Sequence, residues 1–350
     1  MDRATLRALP KALLHDHLDG GLRPRTVLEL ADAVGYDGLP TDDLDELDAW
    51  FVQGRGGSLE RYLEAFRHTV AVMQTPEAVR RVAYEAGVDL AADGVVYAEI
   101  RFGPSLLTEH GMTREEAIEA ALDGFAAATA ETGIAVYAIA TALRHQTDSR
   151  AVVDAAVPFL DSGVVAFDLA GPEAGFPADD HLPACLAARD VGLGITLHAG
   201  EADDVRSIWR ALALCGSQRI GHGVRIVDDT DFDGSTIDEL GALATRVRDH
   251  RVPLEVCITS NIQTGAFPDA TRHPFGALYR SGFVATLNTD NRLMSGVELT
   301  DEFALAAETF DLTLEDLGRI TEMTLRAGFG PWPVRRRLID DVVRPAYGLV

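Results

Sequence analysis

Eight short apolar segments, separated by stretches of helical periodicity, run along this chain of 350 residues, and that alternation is the pattern of βα units around a parallel sheet. The segments are Ala12 to His17, Val95 to Phe102, Ile134 to Ala140, Val164 to Leu169, Gly194 to His198, Arg219 to His222, Leu254 to Ile258 and Val284 to Asn288. Most are continuous apolar runs, as strands covered on both faces are. Eight units of this kind predict an α/β fold, a (β/α)8 TIM barrel, and the length suits one such domain, 1–350, with insertions.

The clearest helices are Thr113 to Thr132, where Thr113 followed by Glu116 makes a capping box, and Pro76 to Asp93, where Pro76 suits a first helical turn. Asp179 to Asp190 and Thr236 to His250 are further helices by pattern. The interval from Leu22 to Gly94 is too long for one helix and predicts a helical insertion after the first strand, over the barrel mouth. Within it Leu59, Tyr62, Leu63 and Phe66 follow i, i+3, i+4, i+7 spacing; that apolar face either packs into the core or covers an apolar ligand. Thr300 to Gly330 and Pro333 to Tyr347 read as extra C-terminal helices, and the acidic stretch Asp42 to Asp48 reads as a solvated surface.

An apolar fraction of 47% with 25% charged residues is that of an ordinary soluble globule. No apolar run approaches the ~20 residues that span a bilayer, and no basic-then-apolar leader opens the chain, so the cytoplasm is the expected compartment. With 31 basic against 55 acidic residues the net charge is −24, which repels nucleic acid and anionic membranes and excludes both as expected partners. Cys185, Cys215 and Cys257 are far apart and form no Cys-x-x-Cys, so they read as buried free thiols. Lys11 is the only lysine in the chain.

The polar residues at the strand C-termini carry the functional signal. His15 and His17, two apart on a strand, point to one side; Asp168, His198 with Glu201, His222, Ser260-Asn261 and Asp290-Asn291 follow at later strand ends. In a parallel barrel those ends converge on one face. Three imidazoles and a carboxylate suit a catalytic divalent ion with an open position for water, zinc being the natural candidate. His68, His110, His145, His181, His250 and His273 fall away from the strand ends and are assigned no chemistry.

At these positions the chain resembles the adenosine deaminases of the amidohydrolase superfamily. The resemblance rests on Leu9-Pro10-Lys11 with His15-Asp16-His17-Leu18-Asp19-Gly20, then Asp168-Leu169-Ala170-Gly171, His198-Ala199-Gly200-Glu201, Gly221-His222-Gly223, Thr259-Ser260-Asn261-Ile262-Gln263-Thr264 and Asn288-Thr289-Asp290, in the family's order and spacing. It implies a zinc barrel, with one Zn2+ per chain, that converts the nucleosides adenosine and 2′-deoxyadenosine to inosine and 2′-deoxyinosine with release of ammonia. By motif position His15, His17, His198 and Asp290 would hold the zinc. Glu201 would handle the N1 proton, and His222 would orient and help deprotonate the water, with Asp290 also catalytic. Asp19 and His17 would meet the ribose 5′-hydroxyl, and Gly171 the purine N3.

The family usually has two consecutive aspartates where this chain has Asp290 and Asn291, and the second position contacts purine N7. N7 is an acceptor, and an asparagine NH2 donates to it at any pH. Three other readings stand beside the nucleoside deaminase. Relatives acting on free adenine commonly carry glutamate where Asp19 stands, and a 5′-phosphate beside Asp19 would meet like charge with no arginine clamp in view. A dinuclear hydrolase of this fold needs a bridging lysine in the middle strands, which this chain lacks. A catalytically inactive binding relative is opposed by competent side chains at every position.

Overall fold

The computed structural model describes residues 1–52 and 63–349. Its strands, β1 Lys11–His17, β2 Val95–Phe102, β3 Ala135–Leu143, β4 Val164–Ala170, β5 Gly194–Ala199, β6 Arg219–His222, β7 Leu254–Val256 and β8 Ala285–Leu287, lie side by side in chain order. Each pairs in parallel with the next. The ring is nearly closed: β8 meets β1 through a single bridge between Asp16 and Asp290. There His17 N donates to Asp290 O at 2.7 Å and Asp290 N to His15 O at 3.0 Å, while the side-chain oxygen of Asn288 accepts from the backbone N–H of Leu14 and His15. All eight expected strands are present. The last two end early, because Ile258 begins a short helix, Ile258–Gln263, and Asn288 turns its side chain to β1.

Apolar side chains from strands and surrounding helices merge into one buried cluster that runs from Leu6 to Tyr347. Helices Pro76–Ala92 and Arg114–Thr132 pack closely because glycine stands at their contact: a Cβ on Gly124 would come within 2.6 Å of the Ala83 methyl. The barrel interior is not apolar throughout. Arg219 on β6 bonds Glu255 on β7 and Glu99 on β2, each at 2.6 Å, and Arg101 on β2 bonds Glu255 at 2.6 Å. All four are fully buried.

Helices Pro24–Val34, Leu44–Phe51, Phe66–Val72 and Pro76–Ala92 lie in the insertion after β1. The acidic stretch is therefore more than a solvated surface: Asp43 caps a helix by accepting from Asp45 N and Glu46 N, and that helix buries Leu47 and Phe51. The helix expected from Thr236 starts only at Ala242, since Thr230 and Leu240 form an antiparallel bridge and Asp231 accepts from the backbone N–H of Asp238 and Glu239. Asp179 to Asp190 opens as a 3-10 turn, Ala178–His181, before the helix Leu182–Asp190. The C-terminal stretch is divided into Leu299–Thr309, Leu314–Ala327, Trp332–Leu338 and Arg344–Tyr347, with a capping box at Thr313 starting the second. The three cysteines are free and buried. No helix among the described residues is long and apolar enough to cross a membrane.

Candidate active site

The C-terminal ends of the strands bring His15, His17, His198 and Asp290 together, each offering one ligand atom within 4.8 Å of the others. The Nε2 atoms of His17 and His198 are 3.2 Å apart, and Oδ1 of Asp290 is 3.3 Å from His15 Nε2 and 3.4 Å from His17 Nε2. Glu201 and His222 complete the group, with 3.5 Å between His222 Nε2 and Glu201 Oε2. His222 and Asp290 reach these positions with φ of 59° and 60°, left-handed backbone that costs a non-glycine residue about 1–3 kcal/mol and is characteristic of functional sites.

His15, His198, Asp290 and the loop of Glu201 are braced from behind. His15 Nδ1 is 3.0 Å from Glu255 Oε2, and His198 Nδ1 is 3.1 Å from Asp168 Oδ1, so each ring has its Nδ1 engaged by a carboxylate and its Nε2 turned into the site. Ser260 Oγ donates to Asp290 Oδ2 at 2.5 Å. Glu173 accepts from the backbone N–H of Gly200, Glu201, Ala202 and Asp203, fixing the loop that carries Glu201.

The electrostatics divide the site into bases and one acid. Burial, opposed by Asp290, keeps His17 neutral, and burial together with His15 does the same for His222. Despite burial, Asp290 is held well below the usual carboxylate range by His15, His222 and His17. Burial, reinforced by Asp290 and Glu173, pushes Glu201 well above that range, so it holds its proton near neutrality.

These residues fit a divalent ion. His15 Nε2 is buried and lacks a hydrogen-bond partner, and three imidazoles with one carboxylate are a donor set suited to a catalytic site. Lys11 lies at the opposite end of β1, its Nζ donating to the carbonyls of Leu6, Arg7 and Leu9, so no lysine is available to bridge a second metal.

An inner chamber beside the cluster, lined by Phe66, Gly171, Glu201, His222 and Asn291 among others, leads to a cavity of about 280 Å3. Leu63 and Phe66 line both spaces; Leu59 and Tyr62, the other members of that apolar face, lie outside the described residues. The outer cavity holds His17, Asp19 and Gly171. It also holds Arg67 and His145, a basic pair at the mouth that pattern did not place there. Burial raises Asp19 to about 7.

Sequence reasoning also missed Glu255, Arg101 and Glu173, and it gave no role to His273, which bonds the site through Asn261. A weak signal existed for Arg101: Glu99 and Arg101 alternate within an otherwise apolar strand.

The sequence model of the family described as adenosine deaminase matches residues 10–345. The chain belongs to the adenosine deaminase family. The adenosine deaminase of Mycobacterium marinum is 51% identical over 351 residues, covering 99% of this chain and 97% of the relative. An adenine deaminase from Arthrobacter aurescens matches this chain with a TM-score of 0.87 at 25% identity, covering 96% of this chain and 99% of that one. An amidohydrolase from Burkholderia ambifaria with bound zinc matches with a TM-score of 0.86 at 25% identity, covering 99% and 93%.

Proposed function

We propose that this chain is a cytoplasmic enzyme that hydrolyses adenosine and 2′-deoxyadenosine to inosine and 2′-deoxyinosine, releasing ammonia, at one zinc ion held by His15, His17, His198 and Asp290. The observation that carries the reading is a buried Glu201, its carboxyl pushed well above the usual range by burial and by Asp290, set beside that cluster in a chamber also lined by Phe66 and Gly171. Zinc bound there would supply a Lewis acid that lowers the pKa of water to about 7.

The chain's own residues account for the rest. Addition of water at C6 places OH on that carbon and electron density on N1, where Glu201 delivers its proton. Asp290, ionised, accepts a hydrogen bond from the attacking water, and His222 orients it. Glu201 is restored by the proton that the water gives up, and the remaining hydroxyl proton leaves with the amino group as ammonia. Gly171 faces N3 and Asn291 faces N7, while Asp19 and His17 take the ribose 5′-hydroxyl. The outer cavity supports a nucleoside over free adenine, because it extends past the inner chamber to Asp19 and leaves room for a sugar.

Relative kcat/KM for adenosine, 2′-deoxyadenosine, adenine and AMP, followed by loss of the adenosine absorbance band, tests the assignment. The two nucleosides are expected to lead by at least about 100-fold, or ~2.7 kcal/mol of differential binding. Preference for adenine or AMP overturns it.

A further inference from the structure

Three hydrogen bonds behind His222 form a chain with a defined direction. The backbone N–H of Phe275 donates to His273 Nδ1 at 3.2 Å, and a backbone amide cannot reverse that role. His273 Nδ1 therefore presents a lone pair. Burial drives the pKa of this ring down to about 3, so it is neutral and its one proton sits on Nε2. Nε2 is 3.3 Å from Asn261 Oδ1 and donates to it. The amide is thereby oriented, with its Nδ2 at 3.0 Å from His222 Nδ1. An NH2 group only donates, so His222 Nδ1 accepts. With Nδ1 accepting, the ring carries its proton on Nε2, the nitrogen that faces Glu201. Phe275, His273, Asn261 and His222 are all buried, which leaves little access for water to take over a link in the chain.

We infer that His273 and Asn261 are positioning residues that lock His222 in its Nε2–H tautomer, so that His222 meets the oxygen adding to C6 as a hydrogen-bond donor and not as its base. The second half of this inference rests on the deaminase reading; the tautomer lock does not. A donor there stabilises charge on the incoming oxygen, and the water's proton goes to the carboxylates of the site. Direction matters because neutral imidazole has one donor and one acceptor, and which nitrogen faces the substrate is decided by what the other nitrogen bonds.

The test uses zinc-loaded enzyme with 15N-labelled histidine, read by long-range proton–nitrogen correlation, with His222 assigned from the spectrum of His222→Gln. His222 and His273 are both expected to carry their proton on Nε2. Asn261→Asp replaces the donor facing His222 Nδ1 with an acceptor. The His222 proton should then move to Nδ1 or be joined there by a second, and kcat should fall by at least about 30-fold with KM for adenosine within about threefold. His273→Gln, whose amide can accept from Phe275 and donate to Asn261, should keep the tautomer and most of kcat; His273→Leu should lose both. Zinc content of one per chain confirms that each variant is folded. A proton on Nδ1 of His222 in the unaltered enzyme overturns the inference, as does an unchanged Nε2–H tautomer in Asn261→Asp that has nonetheless lost activity. An enzyme with the expected tautomer that makes no inosine from adenosine refutes the deaminase reading and the donor role, and leaves the lock standing.

Discussion

Asp168 links His198 to the barrel interior: one carboxylate oxygen is 3.1 Å from His198 Nδ1 and the other 3.2 Å from Arg101 Nη1. Despite its complete burial, His198 and Arg101 hold Asp168 far below the usual carboxylate range, so it is ionised at any physiological pH. A charged partner on Nδ1 orients the ring and makes Nε2 a better donor to a metal. Asp168→Asn is expected to weaken zinc binding about 10- to 100-fold, measured by competition with a chromophoric chelator. Unchanged affinity would show that Asp168 does not support the ligand.

Gly20 sits directly against Asn291, and a Cβ there would overlap the asparagine side chain, whose Oδ1 is buried without a hydrogen-bond partner. Gly20→Ala should therefore displace the amide proposed to face N7. Loss of one such bond, ~1–3 kcal/mol, corresponds to a rise in KM for adenosine of roughly tenfold or more, with zinc content unchanged. Asn291→Asp should also change kcat/KM or base preference, since an aspartate must hold a proton to donate. Wild-type kinetics in both variants would remove the role given to Asn291.

Arg219 bonds two buried carboxylates at 2.6 Å each, and its guanidinium lies 3.8 Å over the Phe329 ring. Removing the cation takes from Glu99 its ion pair and from Glu255 one of its two arginines, leaving it Arg101. Arg219→Met should cost about 3–5 kcal/mol of stability, read from the denaturant midpoint at constant m-value. A loss below ~1 kcal/mol would mean that the carboxylates find other partners or protons.

These interior charges mark where the sequence stops being legible. Strands β1 to β6 can be read because each has a short run of mostly apolar residues, and β1, β5 and β6 carry at or near their C-terminal ends His15, His17, His198 and His222, which belong to the site. Glu255 has no such signature. It is a lone glutamate between Leu254 and Val256, and its partners Arg101 and Arg219 lie 154 and 36 positions away, so only the closed barrel reveals the pairing. His273 stands in a loop after the seventh strand, and nothing in its neighbours indicates that it reaches back to Asn261. Arg67 and His145 are walls contributed by separate loops, and a wall of a pocket has no periodicity.

Glu302 offers a pH test away from the metal cluster. Fully buried, it accepts from the backbone N–H of Ile258 and Thr259, and burial raises its pKa from 4.5 to about 7. Because the folded state binds the proton more tightly than the unfolded one, the contribution is complete below about pH 4.5 and is lost as pH rises through about 7. Against Glu302→Gln, which does not titrate, the native chain should lose on the order of 3 kcal/mol across that window. Thermal unfolding of the pair at matched pH gives the difference directly; parallel curves would show that Glu302 does not carry this linkage.

The single bridge between the eighth strand and the first has a mechanical consequence. The residues on its two sides, His15 and His17 on one and Asp290 on the other, are those that converge on the candidate ion. Metal in that position would be a rivet across the seam of the barrel, fastening the earliest strand to the latest where the ladder of backbone bonds is thinnest. Chelation should then loosen the wall there first, with deuterium uptake accelerating at the amides of Leu14, His15, His17 and Asp290 before the rest of the sheet responds. The centre proposed to ready water for attack would then also keep the cylinder from unrolling.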